Sequence, residues 1–228
     1  MRQPLNRLAF AAIERHMPGM TLSTVGLTLA LAAGLLFSSP APAAELSAED
    51  RATIAAAEAA LNEIRALKSR FLQTSSNGGM AEGTLYLKRP GRMRIEYEPG
   101  VPMMLIANSG WLIEIDTKLA TSTYIPLSRT PANVLVADTI RLSGDIVVTS
   151  VARERGVVRI GMVRKGAEDE GRLVLVFQGS PLELRQWVVT DAQGIETRVA
   201  LLDPEKGVNL DEKLFEYNES GYDRMTFD

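Results

Sequence analysis

From Gly83 to Glu98 the chain reads GTLYLKRPGRMRIEYE, two alternating segments either side of a break. Leu85 and Leu87 alternate with Thr84, Tyr86 and Lys88, and Met93, Ile95 and Tyr97 alternate with Arg92, Arg94, Glu96 and Glu98. A side-chain period of two is that of a β-strand with one apolar and one polar face. Pro90 fixes φ and Gly91 accepts positive φ, so the break reads as a tight turn. Arg89 is thereby carried to the rim where two apolar strand faces meet.

The same pattern recurs down the chain. Further strands are expected at 81–88, 92–98, 102–108, 111–116 and 121–127, then at 145–153, 156–163, 172–178, 183–190 and 195–202. Turn residues punctuate them, among them Pro99-Gly100, Asn108-Ser109-Gly110, Gly179-Ser180-Pro181 and Asp191-Ala192-Gln193-Gly194. Short strands at this spacing argue for an antiparallel meander. Two helical patterns interrupt it. Ser47 to Gln73 carries Ile54, Ala57, Leu61, Ile64, Leu67 and Phe71 three and four apart, with Ser47 and Asp50 placed as a capping box. Thr130 to Val136 is expected as a short helix, Thr130 capping and Pro131 in the first helical position. The fold class is therefore mainly β with helices (α+β). Twist accumulates across so many strands, so the sheet must curl, and its concave face must be filled or lidded. Met93, Met103 and Met104 near one rim suit either an ordinary core or a surface that repacks around irregular apolar ligands. The segment after Asp211 mixes Leu214, Phe215, Tyr217, Met225 and Phe227 without a readable period.

The first 43 residues are excluded from the fold. Arg2, Arg7 and Arg15 precede an uncharged apolar run from Val25 to Phe37, and Ala41-Pro42-Ala43 gives a small-x-small cleavage pattern. This is a secretory signal peptide, with residues 44–228 expected as a single exported domain. There is no Cys, and the single His is His16, inside the signal. Disulfides, Cys/His zinc sites and His-based hydrolase triads are thereby excluded from the exported portion. Removing Arg2, Arg7, Arg15 and Glu14 from 25 basic and 28 acidic residues leaves 22 against 27, a net of −5. That balance gives no basic surface for nucleic acid, apart from the local group Lys88, Arg89, Arg92 and Arg94. On residue type alone such a group is equally a solvated sheet face.

Gly83-x-Leu85-x-x-Lys88-Arg89-Pro90 followed by an alternating strand resembles the strand–KRP–strand signature of the periplasmic lipoprotein carrier family (LolA). Phe71-x-Gln73 at the end of the first helix, Asn108-Ser109-Gly110-x-Leu112, Thr130-Pro131 and Asp191-x-x-Gly194 follow in the family's order. The resemblance spans about Glu45 to Tyr217. It implies a half-open antiparallel β-barrel lidded by the N-terminal helix and the short mid-chain helix. It also implies a non-enzymatic, monomeric periplasmic chaperone without cofactor or metal. Such a chaperone takes triacylated lipoproteins from an inner-membrane ATP-driven releasing complex and carries them to the outer membrane, where a receptor is a further candidate partner. Arg89 matches the family's rim arginine, expected to latch the lid by bonding carbonyls near Leu61 and around Leu135 to Ala137. Leu85, Leu87, Met93, Ile95 and Leu135 are the expected acyl-facing wall, and Arg92 and Arg94 are candidates for docking a partner. Relatives often carry Phe or Trp where this chain has Met93 and Ile95.

Two other readings are open to the sequence. One is a lipid-binding envelope sensor module of the same architecture, which would be expected to bring a further domain or a transmembrane segment. The other is a secreted lipid-processing enzyme using paired carboxylates such as Glu96 and Glu98. Those two share the polar face of their strand, which speaks against it.

Overall fold

The structure is a computed structural model that describes residues 46–217. The signal-peptide assignment and the tail residues Met225 and Phe227 lie outside the described residues.

Helix α1 (Ala48–Glu63) is the first element of the described residues. Its start is the capping box expected from sequence: the Asp50 N–H donates to the Ser47 hydroxyl at 3.0 Å, and the Ser47 N–H donates to the Asp50 carboxylate at 3.1 Å. Six strands follow: β1 (Ala66–Ser75), β2 (Met80–Lys88), β3 (Arg92–Tyr97), β4 (Met103–Asn108), β5 (Trp111–Asp116) and β6 (Thr121–Pro126). A 3₁₀ turn (Leu127–Arg129) and helix α2 (Ala132–Val136) separate them from a second run of five. These are β7 (Ile146–Glu154), β8 (Val157–Arg164), β9 (Gly171–Gln178), β10 (Glu183–Asp191) and β11 (Glu196–Lys206). A 3₁₀ turn at Glu212–Phe215 ends the described chain.

All eleven strands belong to one sheet in the order β6-β5-β4-β3-β2-β1-β11-β10-β9-β8-β7, each pairing antiparallel. Strands β6 and β7 are its two edges, so the barrel is half open. Hairpins account for every neighbour except the central pair, where β11 returns beside β1. That one long-range pairing joins the two meanders into a continuous sheet.

One difference from the sequence reading matters. The helix expected to run to Gln73 stops at Glu63, and residues 66–75 form β1, the central strand. Leu67 and Phe71 are four apart and fit a helical stripe, but Leu67, Ser69 and Phe71 also alternate, and all three are buried while Lys68 and Arg70 are exposed. Ser69 disguised the period of two, because a hydroxyl occupies an inward position; it donates to the Leu202 carbonyl at 3.0 Å. Phe71 and Gln73 thus sit on a strand. Thr130, expected to cap α2, instead turns its hydroxyl back to the Leu127 carbonyl at 2.9 Å, ending the 3₁₀ turn.

The inner face of the sheet and both helices share one core. Ile54, Ala57 and Leu61 of α1, Ala132, Leu135 and Val136 of α2, and Ile140 and Leu142 just beyond α2 pack among inward residues such as Phe71, Leu175 and Trp187. A second, smaller cluster lies on the outer face, where Met104, Ile106, Ile113 and Ile115 of β4 and β5 are covered by Tyr217. The three methionines expected at one rim therefore divide. Met93 and Met103 belong with the inner core, whereas Met104 belongs to the outer cluster. Neighbouring residues on a strand point to opposite faces, and that separates Met103 from Met104.

Candidate functional site

The turn between β2 and β3 is the point where the sheet grips both helices. Leu85 opposes Ile95 and Leu87 opposes Met93 across the two strands, all with their side chains in the inner core. Leu135 joins them from α2, so the five expected wall residues do share one space, and none is more than 4% exposed. Side chains fill that space, among them Leu61 of α1 and Leu135 of α2.

Arg89 follows β2 and turns inward, only 6% exposed. Its guanidinium makes five hydrogen bonds. Nε donates to the Ala137 carbonyl at 2.6 Å, and Nη1 to the carbonyls of Leu61 at 2.8 Å and Ile64 at 3.1 Å. Nη2 donates to Asn62 Oδ1 at 3.0 Å and to the Asp138 carbonyl at 2.7 Å. Leu61 and Ala137 are the neighbourhoods expected from sequence; Ile64, Asn62 and Asp138 are additional. A fork of five fixed donors can serve so many acceptors at once, which an ammonium cannot. The placement is also electrostatic. Helix α1 has no basic residue in its last turn, so Arg89 supplies from across the fold the positive charge that a helix C-terminus favours. Burial draws the Arg89 pKa down, and the like charge of Arg65 adds to this while Asp138 opposes it.

The backbone of the same turn reinforces the grip. The Arg89 N–H donates to the Arg65 carbonyl at 2.8 Å, and the Gly91 N–H to the Val136 carbonyl, the last residue of α2, at 2.7 Å. Gly91 has φ of 74°, a conformation that favours glycine, so the turn chemistry read from Pro90-Gly91 also aims this donor. The end of α1, the end of α2 and the β2–β3 turn therefore meet at one knot.

The other three basic residues of the segment lie on the opposite face. Lys88 reaches Glu212 at 2.6 Å and the Leu210 carbonyl at 2.7 Å, and Arg92 reaches Glu212 at 2.7 Å. Arg94 pairs with Glu96 at 2.6 Å and donates to the Leu214 carbonyl at 3.1 Å. Asn108 Nδ2 adds a bond to the Phe215 carbonyl at 3.1 Å. The candidate docking residues Arg92 and Arg94 are thus engaged by the chain's own C-terminal strap, which lies over the outer cluster. Glu96, one of the paired carboxylates considered above, is the partner of Arg94. Among the described residues no three or more carboxylate or other metal-ligating side chains come together.

A cleft of about 450 Å³ lies between residues 128–134 and one end of each of β7 to β10. Met162, Leu173 and Val189 line it and also belong to the inner core, so the cleft opens directly onto that core. None of the five wall residues lines it. Sequence reading missed this cleft because its walls come from segments far apart in the chain.

A profile of the outer membrane lipoprotein carrier protein LolA matches residues 62–218. The outer-membrane lipoprotein carrier protein of Methylococcus capsulatus (strain ATCC 33009 / NCIMB 11132 / Bath) is 27% identical over 141 residues. That alignment takes in 60% of this chain and 66% of the relative, just under two thirds of its length. Among solved structures, a LolA superfamily protein from Nitrosomonas europaea aligns over 72% of this chain and 97% of its own, with a TM-score of 0.43 at 11% identity. A DUF1329 family protein from Desulfovibrio piger aligns over 72% and 95%, with a TM-score of 0.46 at 13% identity.

Proposed function

The chain belongs to the outer membrane lipoprotein carrier (LolA) family, and from that premise we propose that it is a periplasmic chaperone for lipoproteins. It receives triacylated lipoproteins from an ATP-driven complex of the inner membrane, shelters their acyl chains and delivers them to the outer membrane, to a receptor where one exists. It works without catalysis, as a monomer. Residues 1–43 are the signal peptide removed on export, and 44–228 are the carrier domain.

The observation that carries this reading is the Arg89 knot, a polar fastening of two helices over an otherwise apolar interior. Acyl chains need such an interior. Burying one CH₂ is worth about 0.8 kcal/mol, so a long chain stands on the order of 10 kcal/mol against water. The lid opposes this with its own burial. Ile54, Leu61, Leu135, Val136, Ile140 and Leu142 contribute about 1.5–3 kcal/mol each when covered. One acyl chain is therefore about matched by the closed lid, whereas three chains outweigh it. A carrier so balanced stays shut around single-chain amphiphiles and opens for triacylated cargo. The cleft between α2 and β7–β10 offers the chains a way to the core, and Leu85, Leu87, Met93 and Ile95 form the wall they meet when the lid lifts.

The test is to incubate the exported form with inner membranes and ATP, isolate it, and identify bound material by mass spectrometry. Triacylated polypeptide is expected. Free phospholipid alone, or nothing, under conditions that trap cargo on a control carrier overturns the reading.

A further inference from the structure

We propose that Asn62 is a positioning residue that fastens Arg89 to the segment after α2, so that the latch end of α1 and residues 137–142 lift from the sheet as a single lid. The proposal rests on the carrier reading for its purpose, but its geometry stands apart from it. Glu58, Asn62 and Arg65 follow one another at four and three residues, one stripe along α1 and its exit. They meet alternate residues of the facing segment in reverse order. The Leu142 N–H donates to Glu58 Oε1 at 2.6 Å. The Ile140 N–H donates to Asn62 Oδ1 at 2.9 Å, and Asn62 Nδ2 donates to the Ile140 carbonyl at 2.9 Å. Arg65 Nη1 donates to the Asp138 carbonyl at 3.0 Å and reaches its carboxylate at 3.1 Å. The ladder resembles a strand pairing in which helix side chains replace one backbone. It holds Ile140 and Leu142 with their side chains in the core, each 3% exposed.

Asn62 has a second duty. Its Oδ1 accepts from both Ile140 N–H and Arg89 Nη2, while its Nδ2 donates to Ile140. A carboxamide is needed for this, since it offers two acceptor positions and a donor on one rigid plane. Asp keeps the acceptors and loses the donor; Leu loses everything. The bonds around the knot thus fall into two sets. Glu58, Asn62 and Arg65 tie α1 to 137–142, whereas Arg89 ties both of these to the sheet and Gly91 ties the end of α2 to it. Breaking the second set leaves the first intact. At its far end α1 stays joined to β7, where Arg153 reaches Asp50 at 2.6 Å and the Thr53 hydroxyl at 2.9 Å. The latch end is therefore the end that swings.

The chain contains no cysteine, so spin-label pairs can be introduced without background. Labels on Glu63→Cys and Arg141→Cys, both exposed, report within the lid, and Gln178→Cys on β9 gives a sheet reference. In cargo-free protein carrying Arg89→Leu, both lid labels are expected to shift and broaden against Gln178 while the 63–141 distance stays narrow. Adding Asn62→Leu should broaden the 63–141 distance itself and speed exchange of the Ile140 amide at least tenfold, with Asn62→Asp intermediate. The proposal is overturned if the 63–141 distance broadens in Arg89→Leu with Asn62 intact. It is equally overturned if that distance stays narrow in the double variant. If neither lid label moves in Arg89→Leu, the latch assignment in the carrier reading fails, and Ile140 exchange in Asn62→Leu alone still decides the clasp. Should Asn62→Leu not fold, Glu58→Leu tests the same ladder by removing the acceptor of the Leu142 amide, where unchanged exchange counts against it.

Discussion

Replacing Arg89 with leucine should shift the lid toward its open state without unfolding the sheet. Of the five acceptors, three keep another donor: Leu61 O retains the Ile64 N–H, Asp138 O retains Arg65, and Asn62 Oδ1 retains the Ile140 N–H. The carbonyls of Ile64 and Ala137 lose their Arg89 donors. An unpaired buried carbonyl costs about 1–3 kcal/mol, so the closed state is penalised by about 2–6 kcal/mol. Relief from burying a charge offsets part of this. A net of about 3 kcal/mol toward opening remains, roughly a 150-fold shift in the lid equilibrium. Hydrogen exchange of the Gly91 amide, whose bond to the Val136 carbonyl crosses from the sheet to the lid, should accelerate by about that factor while amides of β9 and β10 stay protected. In a transfer assay the variant should load acylated cargo and release it poorly, because the closed lid no longer competes with the chains. Arg89→Lys should fall between, since one ammonium cannot span both helices. The reasoning fails if exchange of the Gly91 amide changes less than threefold, or if Arg89→Leu both loads and delivers like the parent.

Two further outcomes follow from the fold. Gly83 sits where an added Cβ would press on the Glu96 carbonyl and lie 2.8 Å from the Phe71 ring. Gly83→Ala should therefore cost at least the roughly 1–3 kcal/mol of an overpacked core in denaturant titration, and an unchanged midpoint would refute that placement. Acid should loosen the polar fastenings at two places. The Lys88 hydrogen bond holds the Glu212 carboxyl below its ordinary value, and the Ser47 hydroxyl, followed by Arg153, does the same for Asp50. Groups depressed in the folded state stabilise it above their unfolded values, near pH 4, and that contribution is lost as pH falls through the folded values. Amides of the 212–216 strap and the first turn of α1 should lose protection between about pH 4 and 2, and should be unaffected between pH 6 and 8. Constant protection down to pH 2, after correction for intrinsic exchange, would sink this.

The alternating segments announced their strands plainly, because an inward apolar face on a sheet imposes a period of two on any chain that forms it. The pattern failed at β1, where Leu67 and Phe71 satisfied both periods and the inward Ser69 hid the alternation. No local signal distinguishes a helix that continues from one that gives way to a strand three residues later. Register with β11, over a hundred residues away, made that choice. The C-terminal strap was illegible for a similar reason. Its residues answer Lys88, Arg92, Arg94 and Asn108 on another element rather than one another. The same logic divides the basic group: one reading had it as a solvated face, and alternation sends Lys88, Arg92 and Arg94 outward. Arg89, at the turn, goes inward.

The sequence by itself determined a curled antiparallel sheet, two helices to cover it, and no imidazole or thiol chemistry beyond His16. Those follow from periodicity, turn residues and composition, all of which are local. Only the tertiary structure decided which polar groups fasten the lid. Glu58, Asn62, the Gly91 N–H and the carbonyls of Ile64 and Asp138 carry no mark in the sequence, because a backbone carbonyl has no residue identity and an asparagine near a helix end is commonplace. Their meaning depends on the sheet bringing residue 89 against the ends of both helices. Folding alone makes that juxtaposition, and it turns one arginine in a strand turn into a fastening.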